Sequence, residues 1–258
     1  MSKPNNPLRN VRIVLSHTSH PGNIGATARA MKTMGLHDLR LVRPKAFPDP
    51  MAVAMSAGAT DVLDGAGITA TLGESLVGAT LVVGCTARRR DLSHELLSAR
   101  DAAPLLLAQA AVAPVALVFG TEMSGLTNAE LDQCQMLVQI PANPDYSSLN
   151  LAAAVQILGY ELRCALQAAA DPNASPAKPV AELAAHHDLE LFYQEMEQTL
   201  VQIGFLNLAA PRRLMTRLRR LYARAQLEKD ELNILMGILK HIKTPARINA
   251  AKPNRILD

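Results

Sequence analysis

The sequence has no tryptophan and only four phenylalanines and four tyrosines in 258 residues. Proteins that bind single-stranded nucleic acid by base stacking need aromatic rings. We therefore do not expect this chain to bind single-stranded nucleic acid through base-stacking platforms. Cysteine is also scarce. Cys85, Cys134 and Cys164 form no C-x-x-C pair, which argues against a disulfide framework and against a zinc site.

Long apolar runs and targeting signals are missing as well. No stretch is long enough to span a bilayer, and the segment MSKPNNPLRN lacks the apolar core of a signal peptide. The histidines are scattered apart from the pair His186–His187, so neither a metal centre nor a Ser-His-Asp triad is indicated. We therefore expect a cytoplasmic protein without a metal and without a membrane partner.

Charge is balanced overall but not locally. The formal net charge is only +3, yet six arginines and no acidic residue occur between Phe205 and Leu227. A face of one sign attracts a partner of the other sign, and nucleic acid is a polyanion that suits such a face. A solvated helix face is the alternative interpretation of the same arginines.

The first part of the chain, residues 1–170, alternates short apolar runs with helical patterns. Apolar runs of this kind are typical of parallel strands covered by helices on both faces. The sequence therefore predicts an α/β fold with a parallel sheet. The predicted strands are 11–16, 39–44, 79–86, 115–120 and 135–141, and the predicted helices are 24–35, near 50–57, near 73–78, 103–112, 127–133 and 148–169.

A small helical extension is predicted to follow. Residues 171–180 contain three prolines and are a candidate linker, and residues 181–258 have helical periodicity throughout. Pro211 is predicted to lie in the first turn of one helix. Its apolar stripe would be Leu214, Leu218, Leu221 and Ala225, and its basic stripe Arg213, Arg217, Arg220 and Arg224.

The stretch HPGNIGATARAMKTMG, residues 20–35, links the first predicted strand to a helix. Gly22 and Gly25 partly resemble a dinucleotide fingerprint, which would also need an acidic residue at the end of the second strand. Arg43 stands there instead, which disfavours NAD and leaves NADP open. Two glycines that make a tight turn are the structural alternative.

Two further loops follow predicted strands. In FGTEMSGL, Glu122 stands between Gly120 and Gly125, and glycine there either admits a ligand to the backbone or makes a plain turn. In IPANPDYSSLN, Ser147 or Ser148 can cap the next helix. Ligands of open α/β sheets bind beyond the carboxyl ends of the strands, which is where these loops lie.

Three motifs in this order resemble a known class. N-x-G-x-x-x-R (residues 23–29), FG-x-E-x-x-GL (119–126) and SLN (148–150) are similar to the three signatures of the SPOUT RNA methyltransferases, in their SpoU-type 2′-O-ribose branch. The resemblance implies a sheet threaded into a trefoil knot, an obligate homodimer and S-adenosylmethionine as cofactor. The implied cofactor-binding residues are Cys85, Thr86, Ala87, Gly120, Ile140, Ser148 and Leu149.

The resemblance also implies a substrate and residue roles. The substrate would be tRNA, methylated on the ribose of cytidine or uridine 32, the first nucleotide of the anticodon loop; another tRNA or rRNA nucleotide is the alternative. Thr121 stands where similar enzymes often carry arginine, which bears on nucleotide preference or on substrate binding. The implied catalytic residues are Arg29, Glu122, Ser148 and Asn150, and Glu122 would hold Arg29 or a group of a partner chain. The implied RNA-binding residues are Asn23, Arg88, Arg213, Arg217, Arg220 and Arg224.

Two other classes of function stay open on the sequence. An NADP-dependent reductase would use the Gly22/Gly25 turn and Arg43 but leaves the SLN motif without a role. A non-catalytic RNA-binding module would bind RNA without the cofactor.

Overall fold

The computed structural model describes residues 6–87, 96–170 and 181–243. Its centre is a seven-stranded sheet in the order β3-β2-β1-β6-β4-β7-β5, and every pair of neighbouring strands is parallel. The strands are β1 Val11–Ser16, β2 Asp38–Val42, β3 Gly67–Thr69, β4 Leu81–Cys85, β5 Leu96–Ser98, β6 Val115–Phe119 and β7 Met136–Gln139. The parallel sheet expected from the sequence is confirmed.

In the described part of the sheet domain, seven α-helices follow or separate these strands. They are α1 Pro21–Met34, α2 Pro50–Ser56, α3 Thr60–Asp64, α4 Leu72–Leu76, α5 Ala99–Ala110, α6 Asn128–Leu131 and α7 Leu151–Ala169. Each of the five predicted strands is present, with its ends within two residues of the prediction. The edge strands β3 and β5 were not predicted, because each is short and lacks a continuous apolar run that is buried.

Both faces of the sheet are buried. Ile13 and Leu15 of β1 join the larger core cluster with residues of α1, α5 and α7, while Val14 points to the other face and packs with Leu76 of α4 and Leu131 of α6. Neighbouring side chains of one strand thus enter opposite cores. The helices on both faces are what a parallel sheet of apolar strands requires.

Gly25 is required by the packing of α1 against α2. A Cβ atom at this position would lie 2.0 Å from the carbonyl oxygen of Ala52, so only glycine lets α1 and α2 touch backbone to backbone. Gly22 and Gly25 both lie within α1, so neither makes the tight turn that was the structural alternative. The dinucleotide interpretation is not supported at Gly25 either, because the space beside this glycine is filled by Ala52 and does not admit a pyrophosphate.

The C-terminal part forms α8 His186–Gln202, α9 Leu214–Ala225 and α10 Lys229–Lys243. These helices share a small core that includes Phe192, Tyr193 and Met196 of α8. The backbone amide of His186 donates to the carbonyl oxygen of Ala79 at 2.8 Å and so joins α8 to the sheet domain. The predicted linker 171–180 lies outside the described residues.

Helix α9 differs from the prediction in its start and in its apolar face. Pro211 is not in the first turn, because Arg212 and Arg213 adopt positive φ angles of 43° and 58° and the helix begins only at Leu214. The apolar face consists of Met215, Leu218 and Tyr222, whereas Leu221 is 49% exposed. Over the residues described, no helix has the length and apolarity needed to cross a bilayer.

Candidate active site

A pocket lies at the carboxyl ends of β4, β6 and β7, where the sheet meets the start of α7. It is lined by Cys85–Ala87, by the 119–126 loop, by Ile140 and by Ser147–Leu149, with Leu151 and Ala154 of α7 at its base. All seven residues expected to bind the cofactor line this one pocket: Cys85, Thr86, Ala87, Gly120, Ile140, Ser148 and Leu149. Residues from four separate loops meet here because parallel strands end at the same edge of the sheet.

The 119–126 loop folds back on itself. The amide of Gly125 donates to the carbonyl oxygen of Thr121 at 2.9 Å, and Gly125 has a φ of 69°. A Cβ at Gly120 would lie 2.1 Å from the carbonyl carbon of Gly125. Both glycines are therefore required by the turn itself, which brings backbone groups to the wall of the pocket.

Glu122 holds the beginning of α1. Its carboxylate accepts hydrogen bonds from the backbone amide and hydroxyl of Ser19 at 3.1 and 2.9 Å, from the amide of His20 at 3.3 Å and from Nδ2 of Asn23 at 3.0 Å. Partial burial works to raise the pKa of this carboxyl, but the bonds from Asn23 and Ser19 outweigh it and lower the pKa to about 2. The described hydrogen-bond partners of Glu122 are those of the helix start and do not include Arg29, so the expected contact with Arg29 is not made within this chain. A contact between Glu122 and a group of a partner chain stays a prediction.

Asn150 connects α7 to the same network. Its Oδ1 accepts from the amides of Ala152 and Ala153 at 2.9 and 3.4 Å, and its Nδ2 donates to Oδ1 of Asn23 at 2.9 Å. Asn150, and neither Ser147 nor Ser148, is therefore the N-cap of α7. Asn23, expected to contact RNA, lies between Glu122 and Asn150.

Arg29 lies outside the pocket. It is exposed and lines a groove between α1 and α7 together with Ala152, Ala153 and Gln156. The α7 residues that line the pocket, Leu151 and Ala154, are on a different face of that helix. The structure therefore brings Ser148, Asn150 and Glu122 close to one another. Arg29 lies apart from them, beside a different face of α7.

Glu130 is a second carboxylate that accepts several hydrogen bonds near the ends of the strands, and it was not among the residues predicted from the sequence. Glu130 accepts hydrogen bonds from the hydroxyl of Ser16 and, at 2.7 Å, from the amide of Thr127, and it lies 3.8 Å from Nδ1 of His17. Burial works against ionisation of Glu130, but the bonds from Ser16 and Thr127 outweigh it and lower its pKa. The pattern T-x-x-E at residues 127–130 is a capping-box signature that could have revealed it.

Cys85 is a neutral thiol in the wall of the pocket. Burial raises its pKa to about 12, and a thiol that stays protonated is a poor nucleophile. A mechanism that passes through a Cys85 thiolate is therefore disfavoured.

The arginines of α9 have two different roles. Arg213, Arg217 and Arg224 are exposed and Arg220 is half-buried, while Arg219 points inward. Its Nη2 donates to Oε2 of Glu190 at 2.8 Å, and its guanidinium carbon lies 4.3 Å from the centre of the Tyr193 ring. Arg88, the other expected RNA contact, lies outside the described residues.

Two families of known proteins match the sequence. The SpoU rRNA Methylase family covers residues 10–160, which include the whole sheet and every residue that lines the pocket. The C-terminal domain family of the tRNA methyltransferase TrmJ covers residues 187–253. The parallel sheet, the pocket at its carboxyl edge and the three anchored motifs are those of a SpoU-type methylase.

Individual relatives extend over nearly the whole chain. TrmJ of Yersinia pestis, a tRNA (cytidine/uridine-2′-O-)-methyltransferase, is 52% identical over 237 residues, 92% of each chain. TrmJ of Pseudomonas aeruginosa, a tRNA (cytidine/uridine/adenosine-2′-O-)-methyltransferase, is 50% identical and covers 93% of this chain and 96% of its own. The crystal structure of TrmJ from Z. mobilis has a TM-score of 0.79 at 28% identity, over 90% of this chain and 99% of that one. The chain therefore belongs to the SpoU methylase family and, within it, to the TrmJ group.

Proposed function

We propose that this protein transfers a methyl group from S-adenosylmethionine to the ribose 2′-hydroxyl of cytidine or uridine at position 32 of tRNA. The observation that carries the proposal is the convergence of three separate motifs. Residues of the second and third motifs line one pocket, and Asn23 of the first motif is joined by hydrogen bonds to Glu122 and Asn150 beside it. The names of the TrmJ relatives support the choice of tRNA and of the ribose.

The pocket fits the proposed cofactor chemically. Cys85, Ile140 and Leu149 offer apolar walls for an adenine ring, while the hydroxyls of Thr86, Ser147 and Ser148 and the turn at Gly120 offer polar groups. When bound, S-adenosylmethionine supplies a methyl group on a sulfonium centre. The neutral Cys85 thiol adds no competing nucleophile.

The residues of this chain would position the acceptor and stabilise charge. In-line displacement needs the ribose hydroxyl held at about 3–3.5 Å from the methyl carbon. Ser148 and Asn150, at the start of α7, would orient that ribose or relay its proton. A guanidinium stays protonated under physiological conditions, so Arg29 would not act as a base; it would bind the adjacent phosphate and stabilise negative charge developing on the ribose oxygen.

The position of Arg29 supports a homodimer. Arg29 is exposed in a groove of small residues between α1 and α7, on a face of α7 that does not line the pocket of its own chain. We propose that a second copy packs against this groove, so that Arg29 of one protomer serves the pocket of its partner. The trefoil knot, implied by the resemblance, and the cytoplasmic location, expected from the sequence, also remain predictions.

Four arginines on α9 and at its start are proposed to bind tRNA phosphates. Arg213, Arg217, Arg220 and Arg224 would position the RNA without reading its sequence. Thr121 is occupied within its loop, because its hydroxyl lies 2.8 Å from that of Ser124 and accepts the Ser124 amide at 3.1 Å. Any effect of Thr121 on nucleotide preference is therefore proposed to act through the shape of the loop.

Transfer of labelled methyl from S-adenosylmethionine to an unmodified tRNA transcript tests this function. We expect the label on the ribose of nucleotide 32, and we expect none on a matched transcript that carries a 2′-deoxyribose at that position. A parallel set with C, U or A at position 32 measures the nucleotide preference. Label at another nucleotide would keep the class of enzyme and reject the position; a protein that fails to bind the cofactor would reject the class.

A further inference from the structure

Phe205 is an exposed aromatic ring in a chain that otherwise covers its phenylalanines. The ring is 68% exposed, whereas Phe119 and Phe192 are 2% and 1% exposed and Phe47 packs against the main core. A phenylalanine left in water forgoes the favourable free energy of burying its ring. All four phenylalanines lie in the described part of the chain, so the contrast covers the whole set.

The backbone beneath this ring is held in place. The amides of Phe205 and Leu206 both donate to the carbonyl oxygen of Leu200 at 2.9 Å, and the side chain of Leu206 is buried. Oδ1 of Asn207 accepts the amide of Ala209 at 2.9 Å and closes the next turn. The ring is therefore presented from a fixed loop between α8 and α9, which lowers the entropy lost on binding.

The ring adjoins two arginines in a pocket without acidic residues. Phe205, Arg212 and Arg217 line this pocket with Leu206, Asn207, Ala210, Pro211 and Leu214. In the described ranges no carboxylate pairs with the guanidinium of Arg212 or Arg217. The positive φ angles of Arg212 and Arg213 lead the chain around the pocket before α9 begins.

We propose that this pocket binds one unpaired nucleotide of the tRNA, with the base stacked on Phe205 and the neighbouring phosphates on Arg212 and Arg217. The proposal rests on the proposed function, which makes tRNA the substrate. An aromatic face accepts any base, and guanidinium groups accept phosphate. An apolar ring beside two cations suits an unpaired nucleotide better than a duplex, whose bases are already stacked.

The low aromatic content does not oppose this site. From composition, base-stacking platforms were not expected, and the proposed site departs from that expectation at one position, because one fixed ring can hold one base. The second copy of the chain and other proteins are the rival occupants. The two arginines and the absence of carboxylates from the lining of this pocket favour a polyanion over either of them.

The absence of tryptophan allows a direct test. Phe205→Trp introduces the only tryptophan of the full-length protein, whose emission can be excited apart from the four tyrosines, and we expect unmodified tRNA to quench that emission by stacking. Ile234→Trp is the matched control, because Ile234 is 65% exposed on α10 and does not line the pocket. We expect tRNA to leave the emission of that variant nearly unchanged.

Binding and kinetics supply the second measurement. Phe205→Leu keeps an apolar side chain but removes the ring, and we expect tRNA affinity to fall by roughly 5- to 100-fold, with a higher KM for tRNA and an unchanged kcat. Leu208→Ala, an exposed neighbour outside the pocket, is expected to bind tRNA like the parent. Thermal unfolding of each variant checks that the fold is kept.

The outcomes separate the nucleotide site from the proposed function. If the parent methylates tRNA while Phe205→Trp shows no quenching and Phe205→Leu keeps full affinity, the site is overturned and the function stands. If Phe205→Leu changes the oligomeric state and keeps full tRNA affinity, the ring faces a second copy and the site is again overturned. If the parent binds tRNA without methylating it, the proposed function fails, while quenching still decides the nucleotide site.

Discussion

The side-chain amide of Asn150 donates a hydrogen bond to Oδ1 of Asn23 at 2.9 Å, across 127 positions of sequence. Asn23 in turn donates to Glu122 at 3.0 Å. The three motifs are therefore mechanically joined before any ligand binds, and the start of α1 is fixed relative to the start of α7. Preorganisation of this kind lets a site act without first ordering its own groups.

Asn150 caps α7 and also donates to Asn23, and two different substitutions separate these roles. Asn150→Ala removes the cap of α7 and is expected to lower the free energy of unfolding by about 1 kcal/mol. Asn150→Asp keeps the capping oxygen but loses the donor to Asn23, so we expect parent-like stability and methyl transfer at least tenfold slower. Urea unfolding and single-turnover methyl transfer measure the two effects. Parent-like activity of Asn150→Asp would show that the bond to Asn23 has no part in the reaction.

Arg29 is expected to matter for transfer and not for cofactor binding. Arg29→Ala should slow methyl transfer by about 100-fold or more, while calorimetry should show S-adenosylmethionine binding nearly intact, because Arg29 does not line the pocket. Arg29→Lys keeps the positive charge but loses the planar guanidinium group, so we expect its rate of methyl transfer to lie between those of the parent and of Arg29→Ala. Loss of cofactor binding in Arg29→Ala would contradict the role proposed for this residue.

Gly25 and Gly22 form a matched pair for a stability test. In Gly25→Ala the added methyl would lie 2.0 Å from the Ala52 oxygen, which forces α1 and α2 apart, and we expect a loss of about 2–4 kcal/mol in the free energy of unfolding. In Gly22→Ala the methyl would meet Met51 and Met55 at an ordinary 3.5 Å, so stability should be kept or slightly raised. Equal effects of the two substitutions would contradict the packing argument.

Glu122 makes a distinct contribution to the pH dependence of stability. Its pKa falls from the usual 4.5 to about 2 in the folded protein, so the unfolded chain binds the proton more readily. The stabilisation is complete above about pH 4.5 and is lost as the pH falls toward 2. We expect Glu122→Gln to unfold at a lower temperature than the parent at neutral pH, and the difference to shrink once the pH falls below the usual pKa of the carboxyl. Glu197→Gln, an exposed site on α8, is the control for removal of one charge.

Arg217 and Arg219 are neighbours in sequence with opposite expected effects. Arg219→Ala removes the partner of Glu190 and the cation–ring interaction with Tyr193, and we expect a loss of about 1–3 kcal/mol in the free energy of unfolding. Arg217→Ala should leave stability within about 0.5 kcal/mol of the parent and weaken tRNA binding. The slope of log affinity against log salt should fall by about one for each phosphate that the variant no longer binds. If Arg219→Ala weakened tRNA binding and Arg217→Ala did not, the roles proposed for these two arginines would be contradicted.

Much of the sheet domain could be predicted from residue types. The apolar runs at 11–16 and 115–120 became the adjacent central strands β1 and β6, because β-branched and aliphatic side chains buried on both faces leave few other solutions. The order of the three motifs also indicated the family and the loops of the pocket. In the C-terminal part, the helical periodicity was correct for α8 and was shifted for the apolar face of α9.

The side-chain roles depended on interactions between distant residues. Glu122, Asn23 and Asn150 are joined across 99 and 127 positions of sequence, and no local pattern indicates that Glu122 faces Asn23 or that Asn150 donates to Asn23. The same holds for Gly25 against Ala52 and for the inward turn of Arg219. Local propensity and hydrophobic pattern specify which segments become strands and helices, because these depend on near neighbours. Which polar group meets which depends on the order of strands in the sheet and on the rotation of each packed helix, and these are set by the whole core at once.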